Sequence, residues 1–191
     1  MILEFLLTHA WLAIGLWILF YCVDYLLTIK AARMYQAGAN NHIAFAGGYE
    51  LNPIFQKDIA TLRRFSYRFF LLLLLFGGIL WLIYSTGFQE MFAFSLGLLI
   101  GIQLAIHLRH VRNLAVFYYA CRSQGMIGKI QYEHWLSLRL SSIELFGYSV
   151  FFLFLFLVCA NFFILGGAVG CLLMGWRHLI DSKRKTLTQG I

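Results

Sequence analysis

Five segments of the sequence are long and apolar enough to cross a lipid bilayer, and this feature restricts the fold more than any other. They cover residues 5–28, 67–86, 90–110, 142–160 and 163–180, and a membrane-spanning helix requires about 20 mostly apolar residues. Only 12% of the residues are charged, whereas a soluble domain averages about 25%. The sequence therefore predicts an all-α, polytopic helical membrane protein with five transmembrane helices, folded as one domain over residues 1–191.

Two breaks between the predicted spans have a local structural explanation. Residues 142–180 form one apolar run that is too long for a single span, and we divide it at Asn161. In the break after the first span, "PIFQKDIATLRRF" has apolar residues at near-helical spacing with cations on the other face. Asn is a favoured N-cap and Pro is favoured at the first helical position. We therefore predict an amphipathic helix that begins at Pro53 and leads into the second span.

The positions of Lys and Arg predict the orientation of the chain, because cytoplasmic loops of membrane proteins are enriched in both. The breaks after the first and third predicted spans and the C-terminal tail carry the following cations: Lys30, Arg33, Lys57, Arg63, Arg64, Arg68, Arg109, Arg112, Arg122, Lys129, Arg139, Lys183, Arg184 and Lys185. The segments predicted on the opposite side of the membrane carry no Lys or Arg. We expect the N-terminus outside and the C-terminus inside, in the inner or plasma membrane of the cell. The net charge of +7 then reflects contact with anionic lipid head groups and predicts no nucleic acid partner.

Ionisable side chains within spans are costly and therefore suggest functional sites. Tyr21, Asp24 and Thr28 share one face of the first predicted span. The alternative is that Asp24 only reaches the membrane interface and bonds Thr28 or an arginine. Glu50 lies two residues before the predicted N-cap, so capping does not explain it. It could be solvated, pair with an arginine of its own break, or turn inward towards Asp24.

A second polar stripe lies on the third predicted span, where Gln103, His107 and His110 share one face. Two histidines three residues apart can bind one metal ion, and with nearby carboxylates they would suit a divalent cation such as Zn, Mn or Fe. The alternative is that these interfacial histidines are only hydrogen-bonded. The four cysteines form no CxxC pair, so a disulfide or zinc framework is not expected.

The ionisable groups of the spans gather at the cytoplasmic end of the predicted bundle: Asp24, Glu50, His107, Glu144 and His178. We therefore predict a site that faces the cytoplasmic leaflet. Its members would be Asp24 and Glu50 as catalytic groups, His107 and His110 as metal ligands, and Thr28, Asn52, Arg109 and Arg112 as substrate-binding groups.

Two short motifs resemble those of a known group of proteins. Through the motifs "DYLLT" and "ELNP", the chain resembles a group of small prokaryotic membrane proteins of unknown function. The signature of that group is D-x-x-x-T in a first span followed by E-x-N-P. Asp24, Thr28, Glu50, Asn52 and Pro53 match this pattern. The resemblance covers about the first third of the chain. It implies no activity, but it implies that Asp24 and Glu50 belong to one site.

Three functions remain open at this level. An enzyme acting on a lipid or lipid-linked substrate would use a carboxylate and histidine cluster, with a bound divalent metal polarising the substrate. A cation or proton transporter or channel-like protein would also use carboxylates at span ends. A non-catalytic scaffold would use the polar groups to hold helices together. The sequence contains neither HExxH nor GxSxG, the motifs of zinc proteases and serine hydrolases. Paired glycines, Gly97 with Gly101 and Gly166 with Gly170, predict close helix packing, either within the chain or in a homo-oligomer.

Overall fold

Helices dominate the computed structural model of the protein, which describes residues 2–46, 48–122 and 128–189. In chain order its helices are α1 (Ile2–Thr8), α2 (Ala10–Gln36), α3 (Gln56–Ala60), α4 (Tyr67–Ser85), α5 (Gln89–Arg122), α6 (His134–Cys159) and α7 (Phe162–Gln189), with a 3-10 turn at Ala39–Asn41. Five of them, α2 and α4 to α7, are long and apolar enough to cross a membrane. The prediction of a helical fold with five helices able to span a membrane is confirmed, and this is compatible with a multi-pass membrane protein.

Three of these helices extend into the breaks beyond the predicted spans. The α2 helix continues to Gln36, α5 continues to Arg122, and α6 already begins at His134. With 34 residues, α5 is about 51 Å long at 1.5 Å per residue, whereas the hydrocarbon core of a bilayer is about 30 Å thick. A helix of this length that crosses a bilayer would extend beyond its apolar core.

The break between α6 and α7 lies where the sequence predicts it. Ala160 adopts a left-handed conformation with φ of 47° and ends α6. The side chain of Asn161 then accepts a hydrogen bond from the Phe163 amide at 2.9 Å, which caps the start of α7.

Close packing of α5 against α7 depends on the predicted glycine pairs. A β-carbon at Gly97 would overlap the backbone carbonyl of Phe163, and one at Gly166 would overlap the carbonyl of Phe94. The paired glycines are therefore used within the chain. The α7 helix also packs against α6, while α2 packs against α5, and α4 packs against α2 and α5.

A small parallel sheet corrects the all-α prediction. Strand β1 (Ile43–Phe45) pairs with β2 (Ile130–Tyr132) in register from Ile43 opposite Ile130 to Phe45 opposite Tyr132. Aromatic side chains pack beneath the sheet, including Phe45 against Phe117. The sheet joins the break after α2 to the break after α5, so both breaks lie at the same end of the bundle.

The segment before α4 also differs from the prediction. The helix predicted from Pro53 is only the five-residue α3, whose N-cap position is Phe55. Asn52 instead forms a turn, because its side-chain oxygen accepts from the Ile54 amide at 3.1 Å and its carbonyl accepts from the amide of Phe55. Leu62 has a φ of 50°, a conformation that no α-helix continues through. The turn directs residues 50–53 across the end of the bundle.

Candidate functional site

His110 lies at the centre of the polar site and joins three parts of the chain. Its Nε2 atom is 3.1 Å from a carboxylate oxygen of Asp24 and 3.0 Å from the hydroxyl of Thr28, both on α2. Its Nδ1 atom is 3.2 Å from the hydroxyl of Tyr49, in the break after α2. His110 is buried, with 6% of its surface exposed. Helix packing therefore connects groups that are far apart in sequence.

The hydrogen-bond partners determine the tautomer of the neutral His110 ring. The Thr28 hydroxyl donates to the Asp24 carbonyl at 2.9 Å, so towards His110 it can only accept. Nε2 therefore carries the proton and Nδ1 accepts from the Tyr49 hydroxyl. Asn113 donates to the Tyr49 oxygen at 3.4 Å. Both ring nitrogens of His110 are therefore hydrogen-bonded within the protein.

The structure does not support the predicted metal site. Both ring nitrogens of His110 face hydrogen-bond partners, so coordination would displace one of them. The ring of His107 lies against the ring of Phe20, with centroids 5.5 Å apart. Within residues 2–46, 48–122 and 128–189, no group of three or more His, Cys, Asp or Glu side chains could hold a metal ion.

A cavity of about 360 Å³, which we call the membrane groove, lies beside His110. Its apolar wall comes from the spanning helices and includes Trp17, Phe76 and Leu98. Its polar end is lined by Asp24, Thr28, Glu50, Asn52, Gln103, Arg109, His110, Arg177, His178 and Asp181. The groove is therefore amphiphilic, like the molecules of a membrane.

Three polar atoms of groove-lining residues are buried without a hydrogen-bond partner. They are the Tyr21 hydroxyl, one carboxylate oxygen of Asp24 and the side-chain oxygen of Gln103. Although the Asp24 oxygen is close to His110, the geometry at Nε2 fits a hydrogen bond to Thr28 instead. Buried polar atoms are paired in the great majority of cases. These three atoms can accept hydrogen bonds from water or from a bound molecule in the groove.

A second cavity of about 350 Å³, the sheet cavity, lies on the other side of the same residues. It is lined by residues of both strands and by Tyr49, Arg112, Asn113, Ser137, Ser141 and Glu144. Arg112 and Glu144 form an ion pair across α5 and α6. Glu50, Leu51, Arg109 and His110 line both cavities and form the wall between them.

Arg109 is held within this wall by a neutral partner. Its guanidinium donates to the hydroxyl of Ser141 on α6. The same hydroxyl is 2.9 Å from Nδ1 of His178 on α7. These contacts connect α5, α6 and α7 at the polar end of the groove.

Glu50 turns inward rather than into solvent. One carboxylate oxygen accepts from the Asn52 amide at 2.7 Å, and its side chain lines the membrane groove together with Asp24. Burial raises the pKa of Glu50, although the hydrogen bond from Asn52 and the charge of Arg109 oppose this effect. Burial also raises the pKa of the neighbouring Tyr49 to about 12, so its hydroxyl remains a donor at neutral pH.

The raised pKa of Glu50 predicts a pH-dependent stability. Because the folded protein favours protonated Glu50, this group stabilises the fold fully at low pH. That stabilisation is lost as the pH rises from the unfolded pKa, about 4.3, through the folded pKa. Glu50→Gln removes the ionisation and should flatten this part of the profile. Thermal unfolding between about pH 4 and pH 8 measures the difference. Equal slopes for the wild type and the variant would contradict the assignment.

The predicted site residues divide into three groups. Asp24, Thr28, Glu50, Asn52, Arg109 and His110 all line the membrane groove. Arg112 lines the sheet cavity instead, where it pairs with Glu144. His107 is not among the residues lining either described cavity. The structure thus brings Asp24 and Glu50 into one cavity, and their catalytic role remains a prediction.

Sequence reasoning missed Tyr49, Asn113 and Ser141 as members of this site. Tyr49 immediately precedes Glu50 but belongs to an irregular segment, where periodicity gives no direction. Asn113 lies one helical turn beyond His110, so an extension of the polar stripe would have included it. The sequence pattern did not identify Ser141 as a site residue, because a serine in a helix has many structural roles.

Comparisons of the chain with protein-family models, with curated proteins and with solved structures gave no match. The resemblance to small membrane proteins suggested by the two motifs therefore has no support from these comparisons. Inference about function depends on the geometry of the site.

Proposed function

We propose that the protein binds a lipid or lipid-linked molecule in the membrane groove and presents its head group to His110. The head group carries hydrogen-bond donors, either hydroxyl or amino groups. The unpartnered oxygens of Asp24 and Gln103 carry this proposal, because both are acceptors that a donor would satisfy. Asp24 and Tyr49 on either side keep the ring of His110 next to the proposed head group.

The walls of the groove support a ligand that arrives from the bilayer. Phe69 and Phe76 of α4 form one side, and Met174 of α7 forms another. The main packing partners of α4 are α2 and α5, whereas those of α7 are α5 and α6. We place the entrance between α4 and α7, where an acyl chain could enter without crossing water.

The distribution of charge supports a site at the cytoplasmic leaflet. The sheet holds the breaks after α2 and α5 at one end of the bundle, and most of the Lys and Arg residues lie in these breaks or in the helix ends that flank them. By the positive-inside rule this end is cytoplasmic, which gives an external N-terminus in the plasma membrane. Arg109 and the basic loops would attract anionic head groups there.

A titration with three phospholipids of identical acyl chains tests the proposal. Phosphatidylethanolamine and phosphatidylcholine are both zwitterionic, but only the former has donor groups on its head. Native mass spectrometry of delipidated protein should show roughly tenfold tighter binding of phosphatidylethanolamine, because two good hydrogen bonds contribute about 1–3 kcal/mol. Phosphatidylglycerol, which has hydroxyl donors and a negative charge, shows whether charge is also recognised.

Gln103→Leu should reduce this discrimination to roughly threefold, since it removes one of the two acceptors from the groove. Gln89→Leu is the matched control, because it makes the same chemical change at an exposed position at the start of α5. Equal binding of the zwitterionic lipids by the wild type would contradict the proposal, as would equal effects of the two substitutions.

A further inference from the structure

The two cavities expose His110 to two different environments. Asp24, which faces Nε2, lines only the membrane groove, and Tyr49, which faces Nδ1, lines only the sheet cavity. The groove has a wall of membrane-spanning side chains. The sheet cavity is covered by β1 and β2, which connect segments outside the spanning helices. Different kinds of molecule therefore have access to the two sides.

We propose that the sheet cavity binds a second, water-soluble ligand with an anionic group, which meets the head group of the membrane ligand at the wall formed by Glu50, Arg109 and His110. The meeting of two ligands rests on the proposed function, whereas the soluble site stands on its own contacts. A volume of about 350 Å³ is at the lower end of the range for small-molecule sites.

The charges of the sheet cavity favour an anion. Arg112 is already neutralised by Glu144. In the described part of the chain, Arg109 forms its hydrogen bond with the neutral Ser141 and forms no ion pair. Glu50 is the other carboxylate at the wall, and one of its oxygens accepts a hydrogen bond from the Asn52 amide. A phosphate or carboxylate group could take two hydrogen bonds from Arg109, the geometry in which guanidinium binds such groups best.

Thiol labelling of Ser137→Cys, at the wall of the sheet cavity, tests this site. The four native cysteines are first replaced by alanine, namely Cys22, Cys121, Cys159 and Cys171. Two methanethiosulfonate reagents of similar size are compared at low ionic strength, one with a sulfonate and one with a trimethylammonium group. After each rate is divided by the rate of the same reagent with a free thiol, the anionic reagent should be roughly tenfold faster, because Arg109, which forms no ion pair in the described part of the chain, attracts anions.

Arg109→Gln should remove this preference, and Ile130→Cys provides the control position. Ile130 is 61% exposed on β2 and does not line the cavity, so its labelling should show little dependence on reagent charge or on Arg109. Absence of a preference at Ser137→Cys, or its persistence in Arg109→Gln, would overturn the proposal.

A second measurement uses the protein with its native cysteines. Inorganic phosphate should raise the melting temperature of the wild type relative to chloride at equal ionic strength, since ligands that bind only the folded state stabilise it. Arg109→Gln should lose this increase, and an equal increase in both proteins would overturn the proposal. Failure of the lipid titration alongside success of these experiments would reject the membrane ligand and retain the soluble site.

Discussion

Gly97→Ala is expected to destabilise the helix bundle by about 3 kcal/mol or more, in the upper range for an overpacked site. The added methyl group would overlap the Phe163 carbonyl, which belongs to the backbone of α7 and cannot rotate away. The two helices would have to separate along the contact that includes Gly101 and Gly166. Small residues at such contacts stabilise membrane bundles by allowing close approach of the backbones.

Unfolding in mixed detergent and sodium dodecyl sulfate micelles measures this effect. Gly147→Ala on α6 and Gly78→Ala on α4 are matched controls, because a β-carbon at either position meets open space. Both should be neutral or stabilising by up to about 1 kcal/mol, given the higher helix propensity of alanine. A loss of stability for Gly97→Ala no larger than for these controls would show that α5 and α7 are not packed through this contact.

Apolar length and glycine spacing predicted the bundle because both are local properties of the sequence. Each spanning helix needs its own run of apolar residues, and the break at Asn161 needs its own cap. The partner of each glycine pair could not be predicted, since spacing within one helix does not identify the neighbouring helix. Packing of Gly97 against Phe163 and of Gly166 against Phe94 assigns both pairs to one internal interface.

The sheet was beyond prediction for a different reason. Each strand has three residues, too few to show a two-residue periodicity. The partner of Ile43 is Ile130, on the far side of α3, α4 and α5. Only the assembled bundle brings the two strands together, and the sheet in turn positions the segment that carries Tyr49.

Helical periodicity predicted one side of the site well. At 3.6 residues per turn, Gln103 and His110 are separated by about 20° around α5, while His107 lies about 40° to the other side of Gln103. Gln103 and His110 accordingly line the groove, and His107 faces Phe20. The inward direction of Glu50 depends on the turn at Asn52. No periodic pattern specifies the direction of a side chain in such a segment.

Asp24 provides the strongest test of whether the site exists to bind a ligand or to hold helices together. Its side chain is 19% exposed, and one of its oxygens is buried without a hydrogen bond. A carboxylate in this position costs stability unless a partner compensates for it. If the partner is an external molecule, the empty protein bears this cost.

Asp24→Leu is therefore expected to stabilise the delipidated protein by about 2 kcal/mol while lowering its affinity for phosphatidylethanolamine at least roughly tenfold. His110 keeps a partner at Nε2 in this variant, because the Thr28 hydroxyl still accepts its proton. Val23→Leu, at the neighbouring exposed position on α2, should change neither property. Unfolding in mixed micelles and the lipid titration measure the two effects on the same samples.

Opposite signs of the changes in stability and in lipid affinity are characteristic of a functional site, in which ligand recognition is maintained at the expense of the stability of the ligand-free protein. A loss of stability in Asp24→Leu would instead show that Asp24 holds α2 against α5 through His110, as expected for a scaffold.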